Sequence, residues 1–340
     1  QLAAYGPSRL ILLDNGEYLL YTIDTELHER FPSVTVRSLM GDVRDRHRLD
    51  EVLAAERPEI VFHAAALKHV PMVEQNPVEG VLTNVAGSRN VAEAARAHGV
   101  ELVVQISTDK AVNPTSVMGA TKRIAEAFCQ ALDLDKAARG RRGRGGTRFV
   151  TVRFGNVLGS TGSVVPLFTR QLAPGGPLTV TDPEVSRFFM TVREAVELVL
   201  EASATVGLAN DTESRGKIFV LDMGEPVKIV DLARQMIRLA GLVPDRDIAI
   251  EFTGLRPGEK LHEELFHDGE APVPTANPAL RLAAPRTADY AVLARSIDEL
   301  EEQARAANEA RVIDLLRLLV PEYRRAAVAA PPQARPTLAR

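Results

Sequence analysis

The 340-residue sequence predicts an α/β protein, a doubly wound parallel sheet followed by a smaller C-terminal lobe. Short apolar runs of buried-strand type alternate with amphipathic helical stretches from the first residues onward, and the links between them are short. After Gly155 the texture changes, with more Pro and Gly and shorter elements. Repeated strand–helix units favour parallel strands with crossover helices on both faces.

The elements follow in order. "QLAAYGPSRLILLDN" reads as the last turns of a helix, a Gly-Pro turn and a strand over residues 9–14. A dinucleotide-binding domain ordinarily sets another strand, a Gly-rich turn and a helix start ahead of such a segment. The sequence therefore reads as lacking them at its N-terminus. Residues 34–43 are strand-like as far as "GDV", and "RDRHRLDEVLAAERP" is an amphipathic helix stopped at Pro58. "EIVFHAA" (59–65) and "ELVVQIS" (101–107) are buried-type strands, separated by helical periodicity over about residues 77–97 that includes Asn84. A helix from about residue 116 to 134 and a strand over 148–157 complete the first domain, 1–155. The Arg/Gly-rich "DKAARGRRGRGGTR" (135–148) between them reads as a surface loop. Residues 156–325 form the expected smaller lobe, partly interleaved with the first domain and ending in a helical stretch; residues 326–340 have the composition of disorder.

Composition excludes several classes. A net charge of −4 argues against a general nucleic-acid binder, and 45% hydrophobic with 25% charged residues is ordinary for a soluble globular protein. The single cysteine, Cys129, excludes an internal disulfide framework and fits a reducing compartment. No apolar run reaches bilayer length and no signal peptide is visible, so a cytoplasmic location is expected. The seven histidines lack metal-ligand spacing, and no metal is expected.

The chemistry-bearing residues fall at strand ends, the edge where parallel sheets bind ligands. Asp14 ends the first strand, the position from which an acid bonds the adenosine ribose of NAD. Asp42 and Val43 in "GDV" would lie beside the adenine, and Ala64 and Ala65 in "HAAA" would line the cofactor cleft. Ser107, Thr108, Asp109 and Lys110 come together at the end of 101–107, a carboxylate beside an ammonium and thus a ready acid/base pair. Lys122 shares a helix face with Met118 one turn earlier, where it could hold a nicotinamide ribose. "RFGNVLGSTGSVVP" offers Asn156 before a helix N-terminus, "PEVSRFFMT" offers Arg187, and "GLRPGEKLHEEL" offers Arg256 with Glu259; arginine's planar fork suits a pyrophosphate.

Together "LLD", "GDV", "HAAALKHVP", "NVAGSRNV", "ISTDKAVNPTSVMGATKR", "VRFGNVLGSTGSVVPLF", "PEVSRFFMT" and "LRPGEKLHEEL" resemble the extended short-chain dehydrogenase/reductases that dehydrate nucleotide sugars. Within these the sequence is similar to the CapD-like polysaccharide-biosynthesis branch, the UDP-N-acetylglucosamine 4,6-dehydratases. That branch carries Met where the superfamily has its catalytic Tyr, as Met118 does here. The resemblance implies a Rossmann-type fold, tightly bound NAD, a UDP-sugar substrate and a homo-oligomer, and longer relatives anchored at the membrane. It further implies Asp109 as the acid at the departing C6 oxygen and Lys110 as the base at C5, which requires a neutral amine and a depressed pKa. Thr108, Ser107 or a water held by Lys122 would relay the C4 hydroxyl proton in place of Tyr, with Met118 packed against the sugar. Lys68, His69, Asn156, Arg187, Arg256 and Glu259 would hold the sugar nucleotide. Two rivals stand beside this reading: a 4-epimerase on the same fold, which needs no acid/base pair at C5 and C6, and a non-catalytic nucleotide-sugar-binding module.

Overall fold

The first strand–helix units pair as their apolar runs dictate. In the computed structural model, which describes residues 1–135, 146–160, 162–207, 213–267 and 270–325, β1 (Arg9–Asp14) lies parallel to β2 (Thr35–Met40), with Arg9 opposite Thr35. The Arg/Gly-rich loop, apart from its ends, and residues 326–340 lie outside the described residues. Between β1 and β2 runs α1 (Glu17–Arg30), a helix the sequence pattern did not announce. Its apolar side chains do not share one inward face: Leu20 and Leu27 are buried, whereas Tyr18, Leu19, Tyr21 and Ile23 are exposed.

α2 (Arg46–Glu56) starts where Asp45 accepts a hydrogen bond from the Arg48 backbone N–H at 3.0 Å, and it ends just before Pro58. β3 (Ile60–His63) then enters a second, six-stranded sheet. A short α3 (Val70–Gln75) precedes the expected helical periodicity over 77–97, which is realised as α4 (Pro77–Val81), a π-helical stretch over Leu82–Gly87 and α5 (Ser88–His98). Pro77 fits only a first helical turn, which sets one break. The wide π turn carries Asn84, which accepts from the Leu67 N–H at 2.8 Å and donates to the Leu67 carbonyl and Thr121 Oγ1 at 3.0 Å each. One buried amide thus pins residues 64–69 to the helix layer, and π turns of this kind recur at functional sites.

β4 (Leu102–Thr108) and β5 (Arg148–Phe154) continue the sheet in parallel, and Ile218–Leu221 returns from the C-terminal lobe to pair with β5. Leu280–Ala283 and Val273–Pro274 close that edge antiparallel. Successive β4 side chains face opposite cores, as a strand's period of two requires. Val103 packs with α6 (Val117–Leu134), whereas Leu102 and Val104 pack with Ala195 and Val199 of the helix Val192–Gly207. α6 is buried almost throughout because the C-terminal helices Tyr290–Arg305 and Glu309–Leu319 cover it, with Ile297 and Leu316 in one core with Ile124 and Phe128. Each such side chain stabilises the fold by about 1.5–3 kcal/mol. A third core, around Phe168, Leu178, Ile237 and Ile248, belongs to the later segments alone. Residues 156–325 therefore contribute this third core together with strands and helices of the first layer.

Candidate active site

At its C-terminal end β4 passes into one 3-10 turn, Asp109–Ala111, which gathers the charged groups. Asp109 is fully buried; its Oδ1 accepts from Thr108 Oγ1 at 2.8 Å and from Lys110 Nζ at 3.0 Å. Lys110 Nζ also donates to Asn156 Oδ1 at 3.2 Å and lies 3.5 Å from Glu263 Oε1. The remaining oxygens, Asp109 Oδ2 and Glu263 Oε2, are buried with no hydrogen-bond partner among the described residues. Each such atom costs about 1–3 kcal/mol, which a fold tolerates chiefly where the group has work to do.

The electrostatics differ from the expectation for Lys110. Burial draws the ammonium's pKa down, but the Asp109 and Glu263 carboxylates outweigh burial and hold it above the ordinary lysine value. The amine is thus not neutralised by its surroundings. Lys122 behaves oppositely: burial, opposed only weakly by Glu126, pulls it down to about 8, and its Nζ donates to the Ile106 carbonyl at 2.6 Å. His63 is pressed by burial to about 3 and bonds Ser88 Oγ at 3.0 Å, a neutral structural ring. Cys129, pushed up to about 12 by burial, is an inert core thiol.

Ser107 is occupied elsewhere. Its hydroxyl donates to Glu126 Oε1 at 2.7 Å, and Glu126 in turn receives Arg153 in a two-pronged pair at 2.8 and 3.0 Å, all fully or almost fully buried. With its proton committed to Glu126, Ser107 does not serve as the relay the sequence allowed; Thr108, which borders the cleft and donates to Asp109, keeps that geometry. The loop and α6 also touch closely. A Cβ at Gly119 would stand 2.2 Å from the Lys110 carbonyl oxygen, so only glycine fits beside Met118.

Above this floor opens a cleft of about 550 Å³. Of the residues singled out in the sequence it brings together Ala64, Lys68, His69, Ser107, Thr108, Lys110, Met118, Lys122, Asn156, Arg187, Arg256 and Glu259. Gly162, at φ +72°, passes so near His69 that a Cβ would lie 2.5 Å from its ring. Two arginines are less free than their pattern suggested. Arg187 spends its fork on the carbonyls of Ser186, Leu261 and Lys260, strapping the 260–263 segment to the cleft, and Arg256 holds Glu259 Oε1 at 2.9 Å from an exposed position. Asp14, Asp42, Val43, Ala65 and Asp109 do not border this cleft, Asp109 being fully buried. Asp14 caps its own turn through the Gly16 N–H at 2.7 Å, and Asn15 bridges to Asp42 at 3.2 Å, so the two acids gather at the ends of β1 and β2. Asp42 is bonded by Arg44, which holds its carboxyl down at about 2; Val43 is a core residue against Gly87.

Residues 1–284 match the family model described as "Polysaccharide biosynthesis protein". The chain belongs to this family. It is 46% identical over 313 residues to the probable polysaccharide biosynthesis protein EpsC of Bacillus subtilis, covering 92% of this chain and 50% of that protein. It is 49% identical over 271 residues to the capsular polysaccharide biosynthesis protein CapD of Staphylococcus aureus, covering 79% and 43%. The chain thus spans about half the length of these two relatives. At 36% identity it matches both the UDP-N-acetylglucosamine 4,6-dehydratase (inverting) of Campylobacter jejuni, over 79% of this chain and 73% of that one, and the UDP-glucose 4-epimerase of Rickettsia massiliae, over 76% and 72%. Among solved structures, Pen from Bacillus thuringiensis superposes with a TM-score of 0.70 at 34% identity, covering 83% of this chain and 81% of that one. The fold is that of the Rossmann-type extended short-chain dehydrogenase/reductases. Among the described residues no helix is long and apolar enough to cross a membrane.

Glu263 and the Glu126–Arg153 pair are the functional-region residues that pattern reading missed. Glu263 sits in a polar string, "GEKLHEEL", whose alternating charges resemble a solvated face. Its one local signal is the flanking Leu261 and Leu265, which turn part of the segment inward.

Proposed function

We propose that this protein is a nucleotide-sugar 4,6-dehydratase of polysaccharide biosynthesis, converting UDP-N-acetylglucosamine to the UDP-4-keto-6-deoxy sugar with bound NAD. The observation that carries the reading is the buried Asp109–Lys110 pair at the floor of the cleft, with one Asp109 oxygen unpartnered. A 4-epimerase needs only redox chemistry at C4, so an acid beside a base would have no task there. The dehydratase named among the relatives supports the same reading; the epimerase at equal identity is the rival.

The chain's residues suit such a cofactor. Lys122 supplies a buried cation on the face shared with Met118, Ala64 and Ala66 leave an apolar wall, and Asp14 ends β1 where an acid meets an adenosine ribose. When bound, NAD supplies a reversible hydride acceptor. Thr108 accepts the C4 hydroxyl proton as its own passes towards Asp109. Lys110 as free amine takes the C5 proton, made acidic by the 4-ketone, and Asp109 in its acid form gives a proton to the departing C6 oxygen. Met118, which carries no proton, closes the site against water. Arg256 and Glu259 at the rim meet the diphosphate end, the guanidinium exchanging its Glu259 contact for phosphate oxygens.

Incubating the NAD-loaded protein with UDP-N-acetylglucosamine and weighing the nucleotide sugar by mass spectrometry tests this. Loss of one water is expected. Unchanged mass with a changed sugar would establish the epimerase, and tight binding without turnover a binding module.

A further inference from the structure

A helix cannot bond its own first N–H groups, and α6 is the helix that brings Met118 and Lys122 to the cleft. Ser116 satisfies one of those groups, accepting from the Gly119 N–H at 3.1 Å. The Val117 N–H is satisfied from another element: Glu74 Oε1, at the end of α3, accepts it at 2.5 Å. Val117 is fully buried and the Glu74 side chain is 7% exposed, so water has little access to this contact. The junction is tightly closed, since a Cβ at Gly258 would lie 3.2 Å from Glu74 Oε1 and 2.9 Å from Ser116 Cβ. A carboxylate there also meets the positive end of the helix dipole.

Glu74 is itself held. Arg325 Nε donates to its other oxygen at 3.2 Å, and the Arg324 N–H donates to the Pro114 carbonyl at 3.0 Å, two residues ahead of the Ser116 cap. The buried Tyr323 anchors this segment in the same core as Val117 and Met118. Residues 74, 117 and 325, far apart in sequence, thus form one latch over the head of α6. None of the three borders the cleft, so the latch can reach the reacting groups only through the helix. Resting on the dehydratase reading, we infer that Glu74 is a positioning residue: through the Val117 N–H it fixes the helix that presents Met118 and Lys122 to sugar and cofactor, and Arg325 locks it in place. The Gly119 contact with the Lys110 carbonyl sets how closely helix and acid/base turn approach; the latch holds the first helical turn where that contact needs it.

The test pairs a local probe with kinetics of the NAD-loaded protein. In Glu74→Ala, amide hydrogen exchange over residues 112–122 should quicken about tenfold, with β4 and residues 124–134 unchanged. There kcat for dehydration should fall about tenfold with KM within about twofold of wild type. Glu74→Gln keeps an oxygen for the Val117 N–H and should restore most of kcat. Arg325→Met leaves Glu74 present but unlocked and should fall between, with the same local exchange signature; it decides the matter where the Ala variant does not fold. Faster exchange spread evenly over the chain with kcat intact would make Glu74 merely structural. Wild-type exchange in Glu74→Ala, or a Gln variant as slow as the Ala one, would equally overturn the inference. No dehydration by wild type overturns the dehydratase reading instead, and the exchange measurement, which needs no substrate, still decides whether Glu74 holds the helix head.

Discussion

The floor and the rim of the cleft are built on opposite terms. On the floor the charged groups are tightly held: Asp109 by its neighbours Thr108 and Lys110, Glu126 by Arg153 and Ser107, Lys122 by the Ile106 carbonyl. At the rim Arg256, with a side chain 58% exposed, pairs with Glu259 three residues along. Chemistry that must discriminate between two protonation states needs fixed distances and low dielectric, which only a packed interior gives. Recognition of a charged diphosphate tolerates water and gains from a side chain able to move. The position of a charge in the fold therefore says which kind of task it can perform.

The contrast can be broken at its strongest point. Arg153→Met takes the two-pronged partner from the buried Glu126 carboxylate, leaving Ser107 and, at 3.5 Å, Arg123, and urea unfolding should show a loss of about 3 kcal/mol. A loss below about 1 kcal/mol would mean that the floor is no more tightly held than the rim. A second test uses Lys122. Its folded pKa of about 8 lies below its ordinary 10.5, so between these values the unfolded chain binds more protons and stability rises with pH. Stability measured at pH 7.5 and 10 should climb more in wild type than in Lys122→Met, by up to about 3 kcal/mol. Equal changes in the two proteins would show that Lys122 is not buried as a strained cation. The smallest effect is expected at the rim: Arg256→Ala should raise KM for the sugar nucleotide about tenfold with kcat preserved. A fall in kcat with KM unchanged would move Arg256 to the chemical side of the comparison.

This division also explains what could be read from the sequence. β4 and α6 are legible because both are buried on all sides, and the Ser116 cap marks the helix start, its hydroxyl accepting from the Gly119 N–H at 3.1 Å. α1 is not, because its exposed tyrosines and Leu19 blur the amphipathic period. Residue types on the floor could be chosen, since "STDK" follows a buried strand. Their charge states could not: the sign of the Lys110 shift depends on Glu263, which arrives from a distant segment, and the fate of the Ser107 hydroxyl depends on Glu126 of α6. Arg187 illustrates the same limit, since a fork suited to phosphate is equally suited to three backbone carbonyls.

The bare α-carbon of Gly119 has a consequence for how this protein can change over generations. Because α6 rests directly on the Lys110 carbonyl, the acid/base turn and the helix bearing residues 118 and 122 cannot drift apart or be re-spaced by small mutational steps. Met118 lines the cleft and is also almost fully buried in the core beside Ala120 and Ile124, so the helix face that carries it is set by packing as well as by that contact. A single backbone contact thus fixes the spacing between the acid/base turn and the helix that carries Lys122.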